Sequence, residues 1–398
     1  MTSYLSRRSV YCSKSADNKY SVSHFDKPEG NIKYHALHHT WENGKCKYCG
    51  ASQNVYDRGN DAEQYAYQFI HTDKPETLFN MKFDVIIGNP PYQLSDGGGM
   101  QSSSSTGSSI PLYHKFIEQA KKLNPRFLSM IIPARWYAGG KGLDDFRKTM
   151  LDDKQISQLV DYPNSADCFP NVNIAGGVCY FLWSKNNTDK CIVTNIKNGI
   201  ISSQKSRSLN EFSVFVRDNE SIDIIRKVQS LKENTIDSIC SARNAFSIDS
   251  KCVGNDDTSI PTYILHSLSG ISNIAQDKVS DRDGLIDKYK VIMTKAMSGG
   301  NKPSSGGNYQ VIPATIKVLS PNEVCTETYL CIGSFADRTQ AINLMNYMKT
   351  KFFRFLLLQA LTSINISKDK FMFIPIQDFS KKVDDDTLYK KYNLSVEE

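Results

Sequence analysis

The chain has 398 residues, 40% hydrophobic and 23% charged, with a net charge of +6 and a pI near 8.6. Such a composition supplies a sizeable core over roughly two to three domains and excludes wholesale disorder. Ten cysteines spread over the length exclude a disulfide scaffold and read as reduced, intracellular thiols. The opening "MTSYLSRRSVYCSK" lacks the apolar region of a signal peptide, and no apolar run reaches the ~18 residues of a membrane span, so the expected setting is the cytoplasm.

Residues 1–63 are polar and rich in Tyr, His and Lys, and are expected to form a small N-terminal part. Within it, "HHTWENGKCKYCGAS" (38–52) sets His38 and His39 close to Cys46-x-x-Cys49, with Gly44 and Gly50 beside the thiols. Two thiols and an imidazole in one short loop suit a structural zinc knuckle. Cys12 is the other upstream cysteine and His71 an alternative ligand. The plainer reading is a surface loop with reduced thiols.

From residue 64 to 198 strand and helix patterns alternate. "YAYQFI" (65–70) and "FDVIIG" (83–88) read as short strands. A Gly/Ser-rich stretch (95–109) reads as a loop, either a lid or a surface insertion. Residues 107–124 are expected to be helical, with Ser108 or Ser109 as N-cap and Pro111 in the first turn. Strand 126–133, helix 142–151, and strands 156–162 and 176–183 follow. This alternation predicts an α/β domain with a mostly parallel sheet and helices on both faces. From 199 to 398 the strands shorten and turns multiply, as expected for a second, α+β domain. Residues 297–318 form a Gly/Ser/Asn loop, and 281–318 carry six Lys/Arg against three Asp/Glu. Residues 339–361 read as one long apolar helix.

The stretch "FDVIIGNPPYQ" (83–93) carries the chemistry. An apolar strand stops at Asn89-Pro90-Pro91-Tyr92. This quartet is either a strand terminator or a reaction site. The Asn89 amide oxygen and the Pro90 carbonyl are two acceptors, and the prolines fix the direction of the second. Two converging acceptors suit a planar amino group, and Tyr92 offers a face for an extruded base to stack on.

The run from "FDVIIGNPPYQLSDGGG" through "PLYHKFIEQAKKLNPRFLSMIIPARWYAGGKGLDDFRKTMLDD" resembles the N6-adenine DNA methyltransferases of bacterial restriction–modification systems, in the motif order with target recognition last. The resemblance implies a Rossmann-like, S-adenosylmethionine-dependent methyltransferase sheet followed by a C-terminal target-recognition domain. It implies that Asn89 and the Pro90 carbonyl hold the adenine amino group, Asn89 also lying at the cofactor, while Tyr92 stacks on the base. It places Asp73, sixteen residues before Asn89 at the end of "FIHTD", against the cofactor's adenine. The alternative for Asp73 is a turn residue. It favours His39 over His38, giving a ligand set of Cys12, His39, Cys46 and Cys49. In the second domain Lys295 and Lys302 would meet phosphates, and Asn301 and Asn308 would read adenine edges.

The family's Gly-rich cofactor turn should precede residue 73, yet residues 1–72 contain no Gly-x-Gly. "AGGKGLDDF" (138–146) lies too late in the order to replace it. The expectation is therefore a sheet incomplete at its N-terminus, in a truncated or split enzyme impaired when alone. Its partners would be double-stranded DNA, a chain supplying the missing motif, and a cognate endonuclease, with no membrane. A non-catalytic DNA-binding remnant and a protein-glutamine methyltransferase are the competing readings.

Overall fold

The computed structural model describes residues 21–25, 32–36, 38–57, 68–78, 82–93, 110–140, 142–170, 172, 174–255, 259–296, 311, 315–362 and 365–398. Two compact units divide between Ser213 and Val214. Among the described residues no helix is long and apolar enough to cross a membrane.

The first unit opens with the hairpin β1 (Ser21–Phe25) and β2 (Ile32–Ala36), then a knuckle of β3 (Trp41–Glu42), β4 (Lys45–Cys46) and a single helical turn α1 (Gln53–Tyr56). Its main sheet holds β5 (Val85–Gly88), β6 (Phe127–Pro133), β7 (Ile156–Tyr162), β8 (Val178–Ser184), β9 (Cys191–Lys197) and β10 (Ile200–Arg207). The strand order is β10-β9-β7-β8-β6-β5. Helix α2 (Tyr113–Lys122) joins β5 to β6, and α3 (Asp144–Asp152) joins β6 to β7. Along β6 the side chains of Leu128, Met130 and Ile132 are buried and alternate with half-buried neighbours, as a sheet with one packed face requires.

The sheet is mixed rather than mostly parallel. β5 runs parallel to β6 and β7 to β9, but β8 lies antiparallel between β6 and β7. The reason is the connection. Parallel neighbours need a long crossover, usually a helix. Among the described residues of 163–177 the one helical element is the 3-10 turn Ser165–Asp167, and the chain returns directly along β7.

Two further expectations are corrected in this unit. Residues 68–70 form a 3-10 turn, not a strand. Phe69 and Ile70 are both buried, and the Gln119 amide donates to the carbonyls of Phe69 (2.8 Å) and Thr72 (2.7 Å), filling the role of a ladder partner. Helix α2 starts at Tyr113 with no side-chain cap, and Pro111 lies before it, bridged to Gln93. Leu112 N–H donates to the Tyr92 carbonyl (3.0 Å), so this neck sets the helix start.

Helix α2 buries His114 against the rings of Tyr113 and Phe146. Burial, aided by the Lys115 ammonium, pushes the His114 imidazole down to about 4. Its unfolded value is about 6.5, so between these pH values the unfolded chain binds more protons than the folded one. Stability from the neutral imidazole is therefore complete above about pH 6.5 and is lost as pH falls toward 4, a change of about 3 kcal/mol at most. Urea unfolding at pH 7 and pH 4.5 should show this loss, and His114→Phe should remove the part of it that His114 carries.

The second unit contains two three-stranded sheets. One has β11 (Thr262–Ser267) between β12 (Gly270–Ala275) and β15 (Glu323–Cys325); the other has β13 (Tyr289–Thr294) between β14 (Lys317–Leu319) and β16 (Tyr329–Phe335). Phe246, Leu265, Ile292, Leu319, Val324 and Cys331 pack into one core cluster. Lys290 is fully buried there, its ammonium donating to the Lys288 and Ser320 carbonyls (both 3.1 Å), and burial lowers it to about 8. This unit also contains α4 (Ser221–Ser230), α5 (Arg338–Met348), α6 (Lys351–Gln359) and α7 (Asp385–Lys391). The long helix expected over 339–361 is thus two helices. Thr350 breaks it by accepting from Phe353 N–H as the N-cap of α6.

Candidate active site and metal-ligand cluster

Because β5, β6 and β7 point the same way, their carboxyl ends lie on one side of the sheet. That is the side on which open α/β sheets hold their ligands. Asn89-Pro90-Pro91-Tyr92 leaves the carboxyl end of β5. Asn89 is exposed, Pro90 buried, and Pro91 and Tyr92 half-buried. The Tyr92 hydroxyl is buried and, among the described residues, meets no hydrogen-bond partner. Burial, with smaller contributions from Cys168 and Cys179, raises the phenol to about 12, so it stays neutral at physiological pH. The Tyr92 carbonyl holds Leu112 N–H, and Gln93 bridges Pro111. The turn is therefore tied from below and presents Asn89 outward. Residues 94–109, including the Gly/Ser loop and Ser108/Ser109, lie outside the described residues.

On the same side of the sheet, the ends of β6 and β7 both meet Gly177. Its carbonyl accepts from Ala134 N–H (3.0 Å), and its N–H donates to the Ile174 carbonyl (2.9 Å). Its φ is +79°, and a Cβ there would stand 2.1 Å from the Tyr162 carbonyl oxygen and 2.6 Å from that of Pro163. Only glycine fits. Sequence reading passed over this residue, although "AGGVCYF" carried the signal of a paired glycine before a strand.

β5 is the edge strand of the main sheet, paired only with β6 among the described residues. Val85 is 51% and Ile87 78% exposed. Apolar side chains at an open edge make a surface ready to pair.

Asp73 does not end a sheet strand. It follows the Gln68–Ile70 turn, is exposed, and pairs with Lys47 of the knuckle at 3.7 Å. An exposed pair of this kind adds at most about 1 kcal/mol.

The knuckle brings together more than its own residues. His39 is buried with Cys46 and Cys49, and His71 from the neighbouring segment completes a group of four whose ligand atoms all lie within 4.8 Å of one another. Cys49 Sγ stands 3.4 Å from His39 Nδ1, and the two imidazoles meet edge-on with centroids 5.3 Å apart. The local fold explains the convergence. Asn43 and Gly44, with φ of +51° and +75°, close a two-residue hairpin between β3 and β4. Gly50, at +74°, turns the chain so that its N–H meets the Cys46 carbonyl (2.9 Å). The hydrogen bond from Cys49 holds the Cys46 thiol far below its usual range against the effect of burial, with His39 and His71 adding to the shift. Cys12 lies outside the described residues.

In the second unit, the ammonium of Lys295 donates to the carbonyls of Arg243 and Glu327. Both acceptors are backbone carbonyls. Asn301, Lys302 and Asn308 lie outside the described residues.

Residues 1–169 match the Eco57I restriction-modification methylase family. The chain is 31% identical over 278 residues to an uncharacterized adenine-specific methylase of Mycoplasma pneumoniae, covering 62% of this chain and 65% of that protein. It is 25% identical over 157 residues to the type II restriction enzyme and methyltransferase RM.Eco57I of Escherichia coli, covering 36% of this chain and 15% of that one. The chain thus spans less than two thirds of either relative. Among solved structures, the type IIL restriction-modification enzyme MmeI in complex with DNA aligns over 73% of this chain and 46% of its own, at 11% identity and a TM-score of 0.38.

Proposed function

We propose that this chain, whose residues 1–169 match the Eco57I restriction-modification methylase family, takes part in methyl transfer from S-adenosylmethionine to the N6 amino group of adenine in double-stranded DNA. The observation that carries the proposal is the Asn89-Pro90-Pro91-Tyr92 turn at the carboxyl end of β5, with Asn89 exposed above a pinned base. The Asn89 amide oxygen and the Pro90 carbonyl would accept the two amino hydrogens and so orient the nitrogen lone pair; the bound donor would supply the methyl group, its sulfur leaving as a thioether and one amino proton passing to solvent. The work is positioning, since the donor is already activated. Reaching that nitrogen requires the base to leave the helix, and Tyr92 offers part of its ring for stacking. Adenine as the base is supported by the relative named for that specificity. Asn301, Lys302 and Asn308 are proposed to meet DNA, and a cognate endonuclease is the expected partner of the system.

Among the described residues β5 pairs with β6 alone, and this favours one refinement. We propose that the donor-binding turn is contributed by sequence outside residues 1–398, on the same polypeptide or another, pairing alongside Val85 and Ile87. Titration calorimetry of the isolated 398-residue polypeptide with S-adenosylmethionine should then give no binding at micromolar concentrations, and a micromolar constant would overturn the refinement. The function itself is tested with labelled S-adenosylmethionine in extracts of cells expressing the locus with its flanking sequence. Label on DNA supports it, and label on protein alone overturns it.

A further inference from the structure

We infer that His39, Cys46, Cys49 and His71 bind one Zn2+ in a closed tetrahedral site, and that this metal fastens the β3–β4 knuckle to the segment 68–78. The inference stands apart from the methyl-transfer reading, because it uses none of the residues at the β5 turn.

The donor set comes first. Two thiols and two imidazoles in one group match the soft and borderline ligands that zinc takes in structural sites. With Zn–S near 2.3 Å and Zn–N near 2.05 Å, a mixed edge of the tetrahedron is about 3.5 Å. The Cys49 Sγ to His39 Nδ1 separation of 3.4 Å already has that length. All other ligand pairs lie within 4.8 Å, so closing the site asks for side-chain movement rather than refolding.

Charge fits as well. In the bound site Cys46 and Cys49 are both thiolates, any thiol proton passing to solvent, and both imidazoles are neutral. Two thiolates then cancel the charge of Zn2+, so the buried site carries no net charge. Four protein ligands leave no open position, which assigns the metal a structural role and not a catalytic one.

The consequence lies in what the metal joins. Three ligands come from one loop, but His71 comes from the segment that the Gln119 amide grips at Phe69 and Thr72. Gln119 is on α2, whose start is set by the neck below Asn89. Asp73 lies two residues beyond His71, and its carboxylate pairs with Lys47 between the two cysteines. The metal therefore ties the knuckle, the Asp73 segment and α2 into one body.

The test uses the full chain as expressed. Elemental analysis should find one zinc per chain. Exchange for Co2+ should give the visible bands of a tetrahedral ion together with thiolate-to-cobalt charge transfer. His71→Ala should lower zinc affinity at least tenfold, and His71→Cys should restore it by supplying a third thiolate. Cys12→Ser should keep full stoichiometry. Stripping zinc with a chelator should raise amide exchange across 68–72 as well as across the knuckle. A chain with no zinc and no cobalt spectrum on reconstitution overturns the site. Zinc that survives His71→Ala but is lost with Cys12→Ser overturns the ligand set. Unchanged exchange at 68–72 on metal removal overturns the fastening role.

Discussion

Asn89→Ala is expected to lower methyl transfer about 10²- to 10³-fold, the size of effect seen when one preorganised polar partner of a transition state is removed. The argument is local. The side chain is exposed at the end of β5, while Pro90 and Tyr92 beneath it supply the burial and the bond to Leu112. Removing the amide thus takes away an acceptor without taking away packing, and the unfolding free energy should move by less than about 0.5 kcal/mol. Asn89→Asp keeps an acceptor and should lose less activity than alanine. Both variants should be assayed in cells carrying the locus with its flanking sequence. Equal activity of Asn89→Ala and wild type would remove Asn89 from the reaction.

Gly177→Ala is expected to destabilise the first unit by about 3 kcal/mol or more. Two costs combine. A φ of +79° is strained for alanine, and the new Cβ would enter the carbonyl oxygens of Tyr162 and Pro163 at 2.1 and 2.6 Å. Neither oxygen belongs to a flexible side chain, so the backbone at the end of β7 must move. That movement carries Ala134 at the end of β6, which is hydrogen-bonded to Gly177, and so disturbs the face that presents Asn89. Chemical unfolding of the first unit should show a lower midpoint. A shift below about 0.5 kcal/mol would show that the strand ends can separate without cost.

Much of the first unit was legible in the sequence because its signals are local. β6 and β7 were readable from buried β-branched and aromatic runs, and the Asn-Pro-Pro-Tyr turn from chemistry held within four adjacent residues. What escaped the sequence depends on partners distant along the chain. The antiparallel placement of β8 follows from a connection too short and too irregular for a crossover. The turn at 68–70 has its carbonyls held by Gln119, about fifty residues away. His71 was named only as an alternative ligand because no spacing rule ties it to Cys46-x-x-Cys49; the fold brings it there. Lys295 read as a free basic residue, while its ammonium closes on the carbonyls of Arg243 and Glu327. Thr350 splits one apparent helix because a capping threonine inside an apolar run resembles any tolerated polar residue until its bond to Phe353 N–H is seen.

The most direct measurement is the chemical identity of the methylated atom. DNA from cells carrying the locus with its flanking sequence can be digested to nucleosides and analysed by mass spectrometry, beside DNA from cells carrying Asn89→Ala. The proposed reaction predicts N6-methyl-2′-deoxyadenosine with the wild-type chain and its loss with the variant. A methyl group on cytosine instead, or an adenine mark that persists in Asn89→Ala, would contradict it.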